Sequence, residues 1–313
     1  IVHAGGITDV MDNARAIPGF VEFFGIASPT VDENGVQLVE AGMPLFGEAG
    51  AYGVITVCST LAWGLGYFGM PQVLLRFMAI RKEDELKRSR RIAMVWVVLS
   101  LGIAVFIGLI GRQLFPTEHL TSASAENIFI TLSTSYLPPI IAGFVMAGIL
   151  AATISSSDSY LLIAASSLSK NIYQGILKKD ATDKQVMTAS RITLLVLTVI
   201  GVLIALDKDS VIFQIVSFAW AGFGATFGPL VLFSLFWKRI NKPGAVAGMV
   251  VGGVMVFVWK LLVKPLGGIL NIYELLPAFI LSSLAIVIVS LLTKEPSKEI
   301  QEDFEFVKNQ KAE

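Results

Sequence analysis

Residues 61–79 read LAWGLGYFGMPQVLLRFMA. The stretch is apolar enough for a helix in lipid, yet Gly64, Gly66, Gly69 and Pro71 fall within eight residues of one another. Glycine weakens a helix interior and proline removes a backbone donor, so the spacing predicts a broken span. A break at membrane depth frees carbonyls and amides, and these survive only inside protein or beside a cavity. Broken spans of this kind hold solutes and ions in transport proteins. Trp63, Tyr67 and Pro71 are four residues apart. If the backbone stays near helical they share one face, an aromatic wall with a phenol hydroxyl suited to a small, partly apolar zwitterion. The competing reading makes Trp63 and Tyr67 packing or interfacial-belt aromatics.

The rest of the chain supports a membrane setting. It is 54% hydrophobic and 15% charged, with a mean hydropathy of +0.72, whereas a soluble domain carries about 25% charged residues. Its apolar runs approach the ~20 residues needed to cross a bilayer and are separated by short charged loops. The expected class is an all-α polytopic integral membrane protein. A net charge of +0 offers no basic surface for nucleic acid. The single cysteine, Cys58, excludes an internal disulfide and a cysteine metal cluster, and His3 with His119 are too few for a histidine site.

Seven spans are expected, at about 51–77, 92–115, 137–169, 191–206, 211–236, 244–263 and 272–292, each end uncertain by about 2–4 residues. Residues 1–50 read as a loop with short helices outside the membrane. The segment from Thr117 to Tyr136 is too polar to span, and reads as a loop containing an amphipathic helix. Alternating loops assign nineteen lysines and arginines to one side and five to the other. The positive-inside rule therefore places the C-terminus in the cytoplasm. No initiating methionine or signal peptide precedes Ile1, so the chain reads as the C-terminal piece of something longer. Small residues recur at four-residue spacing in Gly143, Ala147 and Ala151, in Gly224 and Gly228, and in Gly244, Gly248 and Gly252. Such spacing lets helices approach closely. Gly222 to Gly228 follows no strand, which rejects a nucleotide loop.

Residues 149–171 read ILAATISSSDSYLLIAASSLSKN. Ala152, Ser155, Ser156 and Ser159 stand at i, i+3, i+4 and i+7, which puts them on one helical face. Asp158 lies beside them, with no lysine or arginine between Arg112 and Lys170. A carboxylate at this depth belongs in a protein interior, a wet cavity or beside a cation. Clustered oxygens suit a hard cation such as sodium better than a soft metal. The plainer alternative is that the serines bond back to carbonyls one turn earlier or join neighbouring helices.

The stretch from Trp63 to Pro71, continued by Arg76 to Ala79, resembles the signature of the sodium:solute symporters, most closely their sodium/proline branch. The resemblance continues through Gly148 to Ser159, Ser217 to Ser234 and Lys242 to Met249, and covers nearly all of residues 51–292. It implies a LeuT-like fold of two inverted five-helix repeats. Residues 51–236 would be the second repeat, 237–292 two peripheral helices and 293–313 a cytoplasmic tail. The first repeat would precede residue 1 and complete the sites. The resemblance further implies that Trp63, Tyr67 and Pro71 bind solute. Ala152, through its carbonyl, and Ser155 and Ser156, through their hydroxyls, would bind sodium, with Asp158 and Ser159 at a second sodium site. Ser156 stands where the proline branch often has threonine, which keeps the oxygen. Met70 stands where that branch often has glutamine.

The implied activity is sodium-coupled symport of a small solute across the cytoplasmic membrane, most closely L-proline. Another amino acid, pantothenate or a sugar is the alternative solute. No cofactor is called for beyond sodium as coupling ion. An intramembrane enzyme would need a second acid, or a basic partner for a serine, and the spans supply neither. A sensor or channel on the same architecture would conduct ions without solute.

Overall fold

The computed structural model describes residues 2–82, 84–207 and 211–309. Ile1, and Lys208 and Lys311 of the charge count, lie outside the described residues. The elements run as α1 (Ile7–Arg15), β1 (Gly25–Ile26), β2 (Val39–Glu40), β3 (Met43–Pro44), β4 (Gly50–Ala51), α2 (Val54–Gly66) and α3 (Pro71–Met78). They continue as α4 (Asp84–Leu114), α5 (Ser122–Ala125), α6 (Ile128–Tyr136), α7 (Pro139–Ser166), α8 (Asp183–Ala205), α9 (Ile212–Phe236), α10 (Lys242–Val258), α11 (Leu275–Leu292) and α12 (Lys298–Asn309).

Six of the described helices are long and apolar enough to cross a membrane, ending with Leu275–Leu292, and the bent pair Val54–Gly69 and Pro71–Met78 makes a seventh if it counts as one span. The protein is a helical, multi-pass membrane protein. The expected break in the first span is present: α2 gives way to a 3-10 turn over Tyr67–Gly69, and α3 departs at 54°. Met70 is extended, and Pro71 opens α3, where its missing N–H costs no helical bond.

Several boundaries differ from the hydropathy reading. α4 starts at Asp84 and α8 at Asp183, each about two turns before its apolar run, and α7 widens into a π-helix over Ser167–Leu177. Helical hydrogen bonds do not stop where lipid stops, so charged overhangs stay helical in water. A capping box of Thr182 and Gln185 starts α8. Residues 1–50 contain the expected short helix but also two antiparallel ladders, β1 with β4 and β2 with β3. Strands of two residues show no alternation that a sequence reading could detect. The polar segment before α7 holds the two short helices α5 and α6.

The chain divides into two compact units. The first comprises Ile1–Thr30, Leu45–Leu109 and Ile212–Glu313, the second Val31–Pro44 and Ile110–Val211. The core of the first unit is Ala221, Ala225, Val256, Leu275, Ala278 and Phe279, contributed by α9, α10 and α11. Its seams follow the small-residue spacing. A Cβ on Gly244 would land on Ser290, on Gly248 on Ile286, on Gly252 on the Ala225 carbonyl, and on Gly228 it would stand 2.7 Å from the Phe279 ring. The buried Ser282 hydroxyl donates to the Gly248 carbonyl at 2.8 Å, joining α11 to α10. Asn241 caps α10 by accepting from Gly244 N–H at 3.0 Å, while its amide donates to the Lys294 carbonyl at 2.6 Å. In the second unit α7, its π-helical extension and α8 pack in sequence, with α6 against α7. Gly143 meets nothing within 4 Å there, so its small-residue stripe carries no seam among the described residues.

Candidate functional site

Within the first unit the broken helix lies against α9 because glycine leaves room. A Cβ on Gly66 would land on the Trp220 indole, a Cβ on Gly69 on the Phe223 carbonyl, and one on Gly224 would stand 2.7 Å from Gly66 Cα. That contact brings aromatic rings together. Trp63 stacks on Phe213 and Trp220 with centroids 5.4 Å apart in each case, and on Tyr273 at 6.0 Å; all three pairs are within 16° of parallel. Tyr67 meets the Trp220 ring edge-on at 4.7 Å. The Trp220 indole N–H donates to the Trp63 carbonyl at 3.0 Å. This carbonyl lies one turn before the break, where Tyr67 N–H bonds to the Leu65 carbonyl.

A cavity of about 730 Å³ opens beside Trp63, lined also by Ser59, Phe213, Gln214, Ser217 and Tyr273. The volume falls in the range of small-molecule sites. Tyr273 ties its wall together: its phenol donates to the Ser217 carbonyl at 2.6 Å, and its backbone N–H donates to Ser59 Oγ at 3.0 Å. Lys260, Lys264 and Glu274 also line the cavity.

The structure thus brings Trp63 and Tyr67 together around Trp220, with Trp63 on the cavity wall. Tyr67 is half-exposed and, like Pro71 across the break, is not part of that wall. Phe213, Trp220 and Tyr273 were not singled out from sequence. Trp220 lies 157 residues from its hydrogen-bond partner, and the useful signal was an indole among small residues on a span.

The hydroxyl stripe lies in the second unit, on α7. Ala152, Ser155, Ser156, Asp158 and Ser159 are all exposed along one stretch of helix. Ser159 Oγ donates to the Ser155 carbonyl at 3.1 Å, and Thr153 Oγ1 to the Ile149 carbonyl at 2.9 Å. That is the back-bonding of the plainer reading, and it holds for Ser159 and Thr153. Among the described residues the Ser155 and Ser156 hydroxyls and the Asp158 carboxylate have no partner. Two unengaged hydroxyls a residue apart, with the Ala152 carbonyl one turn earlier, are an oxygen set suited to a hard monovalent cation.

Comparison with known proteins identifies the family. A family model described as the sodium:solute symporter family matches residues 27–252. The high-affinity proline transporter PutP of Bacillus subtilis (strain 168) is 40% identical over 298 residues, covering 94% of this chain and 61% of the relative. The osmoregulated proline transporter OpuE of the same organism is 42% identical over 245 residues, 78% of this chain and 49% of the relative. The sodium/proline symporter of Escherichia coli (strain K12) is 39% identical over 255 residues, 80% of this chain and 50% of the relative. The chain therefore spans about half to three-fifths of the length of these relatives, all of which carry the names of transporters.

Proposed function

The chain belongs to the sodium:solute symporter family, and from that premise we propose that it serves sodium-coupled uptake of L-proline by alternating access. In this reading residues 51–236 form the second five-helix repeat of a LeuT-like core, residues 237–292 two peripheral helices and residues 293–313 a cytoplasmic tail, in the cytoplasmic membrane. Residues 1–50 form an extracytoplasmic loop. A first repeat completes both sites.

The observation that carries the proposal is the broken helix, whose Trp63 forms part of an aromatic wall beside a cavity. The stacked rings beside the broken helix offer the apolar surface that a pyrrolidine ring needs. Names of the relatives, proline transporters and sodium/proline symporters, direct the choice of solute. Trp63, Tyr67 and Pro71 hold the solute. The Ala152 carbonyl and the Ser155 and Ser156 hydroxyls hold sodium, and Asp158 with Ser159 contribute to a second sodium site. Sodium bound from outside favours the outward-open state and orders the solute site. Coupling is reciprocal, and a coupling of about 1–3 kcal/mol changes each affinity roughly 5- to 150-fold.

The test is uptake by the full-length protein in proteoliposomes, with and without an inward sodium gradient, across proline, other amino acids, pantothenate and sugars. Sodium-driven accumulation of proline above the rest is the expected result; gradient-independent uptake, or preference for another solute, rejects it. Replacing both Ser155 and Ser156 with alanine should raise the sodium concentration for half-maximal uptake about tenfold, equivalent to ~1.4 kcal/mol. An unchanged sodium dependence removes the pair from the ion site.

A further inference from the structure

Three charged groups, Lys260, Lys264 and Glu274, cluster on the wall of the cavity. The Glu274 side chain is only 3% exposed, and two ammonium groups face it: Lys264 Nζ at 3.0 Å and Lys260 Nζ at 4.0 Å. A buried carboxylate needs a partner, and the hydrogen-bonded Lys264 supplies one. Lys260 is beyond hydrogen-bond distance from Glu274 and lies 4.1 Å over the Phe218 ring. The cluster therefore holds one cation more than the acid requires, and both lysines are about one-third exposed and line the cavity.

The other polar groups of the wall are largely engaged. Ser59 Oγ and the Ser217 carbonyl serve Tyr273, and Thr60 Oγ1 bonds to Thr56 and Tyr52. Among the described residues the Gln214 amide has no partner. The surplus ammonium and this amide thus face a cavity whose remaining wall is Trp63, Phe213 and Tyr273. A compact amino acid has the complementary parts: a carboxylate for the ammonium, an amine for the amide oxygen, and an apolar body for the rings.

We propose that this cavity is a binding site for a small amino acid and that Lys260 pairs with its carboxylate, which makes Lys260 a specificity-determining residue. The inference rests on the symporter reading and shares Trp63 with it, while Tyr67 and Pro71 lie outside this cavity. Glu274 and Lys264 act as positioning residues, holding the lysine-bearing segment after α10 against the start of α11.

The test uses the full-length protein in proteoliposomes, with L-proline as solute and L-prolinamide, which lacks the carboxylate, as competitor. Wild-type protein should favour proline over the amide by at least about tenfold, a difference of ~1.4 kcal/mol. Lys260→Gln should raise the proline KM by a similar factor, with maximal rate and sodium half-saturation unchanged at saturating proline, and should bring the two ligands within about twofold. Lys260→Arg, which keeps the charge, should restore the preference. An unchanged preference in Lys260→Gln overturns the proposal, as does loss of uptake in both variants, because arginine retains the cation. Proline binding read by tryptophan fluorescence separates the two readings. If the wild type binds proline in a Lys260-dependent way but accumulates none, symport fails and the site stands; if it binds no proline, the site falls as well.

Discussion

Trp220 donates its indole N–H to the Trp63 carbonyl in the last turn of α2. The Trp63 oxygen lies at the end of α2, where the turn over Tyr67–Gly69 tightens and the Tyr67 N–H bonds to the Leu65 carbonyl. Left alone in a low-dielectric setting, that oxygen would carry a desolvation penalty. The indole satisfies it and stacks on Trp63 at the same time, so a single side chain holds the break open and sets the angle of the aromatic wall. Trp220→Phe removes the donor and part of the stack. It should lower stability by about 1 kcal/mol, the net worth of a part-buried hydrogen bond. Chemical unfolding in detergent measures this, and a change under ~0.5 kcal/mol, the lower end of a net hydrogen bond, would mean that solvent satisfies the carbonyl. Trp63→Phe leaves the bond in place, because the acceptor is backbone, and serves as the control.

At the scale of elements, the tail helix α12 is tied to the loop between α9 and α10. Lys238 donates to Glu305 at 2.9 Å, while Arg239 donates to the Thr293 carbonyl at 2.8 Å just after α11. The hydrogen bond from Lys238, and then its charge, hold the Glu305 carboxyl below its ordinary range. A depressed carboxylate contributes stability above its unfolded value and loses it as pH falls through the folded one. Both partners are well exposed, so the effect is small. Protection factors for the α12 amides, from hydrogen exchange, should fall as pH drops through the acidic side of the carboxylate range. In Lys238→Gln they should begin lower and vary less over that window; equal pH dependence in both proteins would remove the tether. What could be read of these elements from sequence follows from the range of each interaction. Glycine and proline act on their own residues, so the break between Gly66 and Pro71 was legible. Seams at Gly244, Gly248 and Gly252 were legible too, because close packing repeats at helical spacing. The Lys260, Lys264 and Glu274 cluster was not, since lysines counted for orientation say nothing about which acid folds back to meet them. Nor was α12, whose polar sequence reads as a solvated tail until its tether is seen.

For the whole molecule, orientation governs every functional statement, because a sodium gradient does work only in one direction across the bilayer. The helices carry the bias physically. α4 and α8 begin with charged overhangs that include Lys87, Arg88, Arg90, Arg91 and Lys184, and Lys170, Lys178 and Lys179 flank the preceding turn. All belong to the lysine- and arginine-rich side. Lys260 and Lys264, on the sparse side, share Glu274 and so present less free charge than a count suggests. Under the proposed topology the positive-inside bias puts the α10–α11 connection outside and the segment after α11 in the cytoplasm. Cysteine labelling decides this directly once Cys58, which is partly buried, is replaced by serine. Asn271 and Ser297 are both exposed, the first before α11 and the second after it. In the full-length protein, a membrane-impermeant maleimide applied to intact cells should label Asn271→Cys and spare Ser297→Cys, and inverted vesicles should reverse the pattern. The opposite result would turn the lysine-bearing wall of the cavity toward the cytoplasm and overturn the proposed topology.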